Sequence, residues 1–112
     1  MNEVLRSASF WAEIRLSAGI EGLGEEQCEQ WCRAALKNRL VRRHFWEEIA
    51  FLGDVDIASR TPVQIHHWLR SDDFSADGTA GQYDHNYPLG YYGKIENASD
   101  ILRRIYDIQM PR

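Results

Sequence analysis

No apolar run in the 112-residue chain approaches the length of a bilayer-spanning helix, so no segment reads as a membrane span. Positive charge is not in excess either: 13 Lys and Arg stand against 17 Asp and Glu, a net charge of −4. Non-specific binding to nucleic acid or to a membrane surface rests on a basic field and is disfavoured. Lysine is scarce, two residues against eleven arginines; Arg is the better residue for bidentate and stacked contacts. Cysteine is limited to Cys28 and Cys32, and no signal-peptide pattern opens the chain, because Met1–Arg6 leads into a stretch broken by Glu13 and Arg15. The expectation is a soluble, cytoplasmic protein with reduced thiols. A phosphate loop, a dinucleotide fingerprint and a G-x-S-x-G elbow are all absent, and no cofactor is expected. There is no internal repeat, low-complexity run or linker.

What is present is ordinary globular composition: 44% hydrophobic and 27% charged residues, with four Trp to anchor a core or an interface. A chain of this length forms one domain and buries about two-thirds of its unfolded surface, enough for a core without staples.

Ala8, Phe10, Ala12, Ile14, Leu16, Ala18 and Ile20 alternate with more polar neighbours, which predicts a strand over Ser9–Ser17. A helix is expected over 25–37, where Cys28, Trp31, Cys32, Ala35 and Leu36 make one apolar stripe. A second helix is expected over 40–52 from Val41, Phe45, Ile49 and Leu52, with Gly53 as its left-handed cap. Thr61-Pro62-Val63-Gln64 reads as a capping box that opens a helix over 62–70. Asn97-Ala98-Ser99-Asp100 opens the last helix, 98–108. Short strands are expected near Asp54–Ala58 and Gly90–Ile95. The fold class is therefore α+β: a small antiparallel or mixed sheet covered by about four helices.

The stretch from Ser71 to Lys94 holds four of the five tyrosines and four of the eight glycines. Long loops in compact domains are uncommon and tend to be functional. Tyr joins an apolar face to a polar tip, so Tyr83, Tyr87, Tyr91 and Tyr92, with His85 and with Trp68 behind them, form the expected partner- or ligand-binding surface.

Other candidates stand beside it. Cys28 and Cys32 share a helical face and could offer two metal ligands, but the apolar stripe assigns both to the core. His66, His67, Asp84 and His85 could serve as acid–base or metal groups. Asp73, Ser75, Asp77 and Asp84 follow the spacing of a calcium loop, with Gly78 at the turn position. Many Ser/His/Asp sets can be drawn, and that freedom singles out none. Gln64-Ile65-His66-His67-Trp68-Leu69-Arg70, preceded by Asp56-Ile57-Ala58, resembles the recognition helix of a homeodomain and its approach. That resemblance implies a DNA reader with Arg39, Arg42, Arg43, Arg60 and Arg70 on phosphates.

The leading expectation is a non-catalytic binding module whose partner is another protein, a second copy or a small organic molecule. A lone N-terminal strand would seek its neighbour across a two-fold axis, which makes a homodimer the natural assembly. The rivals are a small enzyme built on the histidines and a helix-turn-helix regulator.

Overall fold

The computed structural model describes residues 2–52 and 65–108. These fold as a small α+β domain: an antiparallel sheet in the order β1-β2-β3-β4 with helices on its faces. A short 3-10 turn (Glu3–Arg6) leads into α1 (Ala8–Ser17), α2 (Cys28–Ala35) and α3 (Arg39–His44). The strands are β1 (Trp46–Phe51), β2 (Ile65–Ser71), β3 (Phe74–Asp77) and β4 (Tyr91–Lys94), and α4 (Asp100–Asp107) closes the domain.

The expected strand over 9–17 is helix α1. Its buried residues Trp11, Arg15 and Ala18 recur at helical spacing, with Ile14 beside them. Apolar residues at every other position imitate a strand, but the fully buried Trp11 sets the face that wins. Its indole N–H donates to the Leu5 carbonyl at 2.7 Å, and its ring stacks on Tyr92 at 5.2 Å. A lone strand in need of a second copy is thus not what the N-terminal segment supplies.

The expected helix over 40–52 divides. Asn38 caps α3 by accepting from the Leu40 and Val41 amides. The chain turns extended at Phe45, and in β1 the buried Glu48 and Ala50 alternate with more exposed neighbours. The described part of the expected helix over 62–70 is strand β2, with His66 and Trp68 fully buried. A homeodomain-like reader needs a protruding helix here, and a strand paired on both sides cannot supply one. The capping box at Thr61–Gln64, Gly53 and the short strand at Asp54–Ala58 lie outside the described residues. Residues 71–94 are not one long loop, since they contain β3, a 3-10 turn at Ala80–Gln82 and β4. The β4 and α4 expectations match in place, and Ser99 caps α4 through the Leu102 amide.

Each face of the sheet carries its own core. Leu69, Phe74 and Ala76 pack with Trp11, Trp31, Cys32, Ala35 and Val41 of α1–α3. Ala50, Trp68 and Tyr91 pack with Leu102, Ile105 and Tyr106 of α4. The alternation along β2 and β3 sends His66, Trp68 and Asp77 away from Leu69 and Ala76. Among the described residues, no helix is long and apolar enough to cross a membrane.

Candidate functional site

The two strands place a histidine and a carboxylate side by side. Leu69 pairs with Ala76, so His66 and Asp77 are diagonal neighbours on one face. His66 Nε2 and Asp77 Oδ2 are 2.7 Å apart, and neither side chain is exposed. Asp77 is further held by the Thr79 amide at 3.2 Å, the Thr79 hydroxyl at 3.4 Å and the Tyr106 hydroxyl at 2.9 Å.

With Nε2 committed to Asp77, the buried Nδ1 is the ring nitrogen left over. It makes no regular hydrogen bond with a described residue. The ring also feels the thiol of Cys28, the first residue of α2, through its charge and hydrogen bonding. Cys28 is half-buried, and its Sγ lies 3.9 Å from the Ile65 carbonyl oxygen. The pair polarises itself. Burial opposes ionisation of Cys28, but the hydrogen bond and charge of His66 and the His67 backbone N–H outweigh it, so the thiol is held below its ordinary range. Burial also opposes protonation of His66, but the charge and hydrogen bond of Asp77, then those of Cys28, lift it to about 9. Each group thus favours the charged form of the other. Cys32, one turn further along α2, is sealed in the core, and burial together with nearby acidic charge pushes it well up.

Local sequence explains why Cys28 sits where it does. Arg15 of α1 donates from Nε to the Gly78 carbonyl at 2.9 Å and from Nη2 to the Gly22 carbonyl at 2.6 Å. That one side chain ties α1, the loop before α2 and the end of β3 together. Gly24, at φ +78, lets the loop press on Thr79, where a Cβ would come within 2.6 Å of Thr79 Cγ2. Glu26 is held at φ 60 two residues ahead of the thiol; a non-glycine residue in this region is uncommon, and such strain gathers at functional sites. Gly78 leaves no room for a Cβ, which would fall 2.0 Å from Trp31 Nε1. Helix α2 thus comes close to the end of strand β3 that carries Asp77. The amide N–H groups of its first turn, that of Cys28 included, are not used by the helix itself. An open groove of about 610 Å³ adjoins this turn, lined by Glu21, Gly22, Leu23, Glu25, Glu26 and Gln27.

The residues singled out from sequence are distributed differently. His66 is in the site. His67 instead meets Glu47 across the strands at 2.8 Å, near the surface. Asp84 and His85 lie together on the loop after the 3-10 turn, with His85 exposed, and neither hydrogen-bonds to His66 or His67. Burial pushes against the Asp84 carboxylate, yet hydrogen bonds from Asn86 and Ser99 and the charge of His85 hold it low. The calcium spacing is taken up by strand β3: Ser75 and Asp77 are buried, Asp73 is exposed, and Asp77 is engaged with His66, Tyr106 and Thr79. No cluster of metal-ligating side chains occurs among the described residues.

The aromatic set is largely turned inward. Trp68 is fully buried against Tyr106 at 4.5 Å, and Tyr91 is buried near Tyr106 and Tyr87. Tyr92 stacks on Trp11 and donates to the Leu89 carbonyl at 2.8 Å. Tyr83 sets its ring edge-on to His66 at 4.8 Å, and burial with the Cys28 and Asp77 charges raises its phenol. The pairing of Cys28 with His66 and Asp77 is not apparent from sequence spacing. The available signal is a cysteine at a helix start behind three close glycines, followed by a His and an Asp that strand alternation can align. Comparison with known protein families, with curated proteins and with solved structures finds no match to this chain.

Proposed function

We propose that this protein is a thiol-dependent acyl-transfer enzyme, an amidohydrolase or peptidase in chemical class, with Cys28 as nucleophile, His66 as acid–base and Asp77 as the group that orients His66. The observation that carries this reading is the arrangement of His66, bonded through Nε2 to buried Asp77 and coupled to a thiol at a helix start. A nucleophile, a base beside it and a third group holding the base are the parts such chemistry requires.

The Cys28 thiolate adds to the carbonyl carbon of the substrate, and the π electrons move to oxygen. The oxyanion meets the Cys28 amide at the positive end of α2. Collapse of the intermediate breaks the bond to the leaving group, and the His66 imidazolium gives that group its proton. Water then attacks the thioester while His66 takes its proton, and a carboxylic acid and free Cys28 thiolate are released. Glu21, Glu25 and Glu26 along the adjoining groove favour substrates that carry an amine over anionic ones. The tyrosine-rich segment enters this reading as a wall of the site, through Tyr83, and not as a partner surface.

Alkylation by iodoacetamide at about pH 6 tests the reading, because few free thiols are ionised there. Cys28 should react many-fold faster than a free cysteine, and His66→Ala should abolish the difference. Equal rates for Cys28 and free cysteine would refute the proposal.

A further inference from the structure

The acceptor at the end of the chain of groups is crowded. Asp77 Oδ2 takes two donors, His66 Nε2 at 2.7 Å and the Tyr106 hydroxyl at 2.9 Å. Thr79 occupies Oδ1 with both its amide and its hydroxyl. Tyr106 comes from α4, on the far layer of the fold, and is fully buried. The two cores leave the indole N–H groups of Trp31 and Trp68 without a partner among the described residues. Hydrogen-bond donors are therefore not satisfied evenly here; they are concentrated on one carboxylate.

We propose that Tyr106 is a positioning residue of the Cys28–His66–Asp77 centre: its hydroxyl shares the Asp77 oxygen that binds His66 and so sets how strongly that imidazole holds its proton. The proposal rests on the acyl-transfer reading of the site. A donor on the shared oxygen draws negative charge away from the His66 contact. Removing it leaves the carboxylate a stronger partner for imidazolium. Asp77 does not swing away when this happens, because Thr79 still fixes Oδ1 and His66 still holds Oδ2.

The ionisable groups around the pair come from every neighbouring element. They are Cys28 and Cys32 of α2, Tyr83 of the loop after β3, Tyr92 of β4 and Tyr106 of α4. Burial, with the Asp77 charge next, keeps the Tyr106 phenol well above its usual range, so it stays a neutral donor throughout the range in which His66 titrates. Tyr83, raised by burial and by Cys28, likewise stays neutral. The proton balance of the site is thus carried by Cys28 and His66 alone, with Tyr106 adjusting the balance through Asp77. This also makes α4 part of the reactive centre, although it contributes no group that touches substrate.

The test needs no substrate. The His66 ring is titrated by NMR and the Cys28 thiolate by its ultraviolet absorbance, in the wild type, Tyr106→Phe and Asp77→Asn. Tyr106→Phe keeps the buried ring and deletes only the hydroxyl. The wild-type His66 midpoint should lie near 9. In Tyr106→Phe it should rise by about one unit, the scale of one charge-assisted hydrogen bond; in Asp77→Asn it should fall steeply. A Tyr106→Phe midpoint equal to or below that of the wild type overturns the proposal, even if urea unfolding shows lost stability, because a phenol that only packs lowers stability without moving the titration. A wild-type His66 at its ordinary value, or a Cys28 thiolate that forms only in the usual alkaline range, would overturn the acyl-transfer reading itself.

Discussion

Asp77→Asn offers a quantitative view of the buried pair. The carboxamide keeps the size of the side chain and removes its charge. His66 is fully buried, and its rise from 6.5 to about 9 is carried first by the charge of Asp77. At about 1.4 kcal/mol per unit, that rise corresponds to about 3 kcal/mol of folding stability. A raised folded-state value stabilises fully below the unfolded value and is lost as pH climbs through the folded one. The stabilisation from His66 is thus complete below 6.5 and gone above about 9. Cys28 runs the other way, since its lowered value stabilises at high pH and the gain is lost as pH falls through the folded value. Serine at position 28 removes that opposing contribution, so the cleanest comparison is Cys28→Ser with and without Asp77→Asn. Urea unfolding, followed by tryptophan fluorescence, should show the Asn variant less stable by up to about 3 kcal/mol at about pH 6. The gap should close as pH climbs through the folded His66 value, which serine at position 28 lowers because Cys28 helps to raise it, leaving only the pH-independent cost of weaker bonds to Thr79 and Tyr106. A gap of the same size across the whole range would mean that His66 carries no charge in the folded protein, and the reasoning would fail.

Two further outcomes follow from the geometry. Iodoacetamide should label Cys28 and spare Cys32 until the protein is unfolded, as read by peptide mass spectrometry, because Cys32 is sealed in the core and its thiol is pushed well up by burial. Gly78→Ala should cost about 1–3 kcal/mol in urea unfolding, since its Cβ would fall 2.0 Å from Trp31 Nε1 in a buried indole that cannot swing aside. It should also slow Cys28 alkylation at mildly acid pH by displacing Asp77 and Thr79, and an alkylation rate equal to that of the wild type would separate packing from the site.

The legible parts of the sequence were those with local chemistry of their own. The Ser99 cap and the apolar face of Leu102 and Ile105 specify α4, and the glycines around Tyr91–Lys94 bound β4. Where apolar spacing alone had to decide, it misled. Val41, Phe45, Ile49 and Leu52 fit a helix by period, yet the chain leaves the helix at Phe45 because Glu48 and Ala50 are buried by strand pairing with Trp68 and His66. The alternating apolar residues of α1 fit a strand, yet Trp11 and Arg15, four residues apart, are what the core holds. The site was hidden by the same error. A helix over 62–70 points His66 nowhere near position 77, and the calcium-loop spacing assigns Asp77 a different role. Only the β2–β3 register brings the two to hydrogen-bond distance, and register is a tertiary property. Cys28 was assigned to the core with Cys32 because both lie on one stripe. The difference between them is that α2 begins at Cys28, three residues later than expected, which puts one thiol at the helix mouth and the other in the core.

The most direct measurement is whether an acyl group passes through Cys28. The protein is mixed with 4-nitrophenyl acetate, nitrophenol release is followed over time, and the quenched protein is analysed by mass. Acetylation of Cys28 in a burst, followed by steady turnover that His66→Ala and Cys28→Ala both abolish, is the predicted result. Acetyl groups spread over surface lysines and both cysteines, with turnover untouched by either substitution, would contradict it.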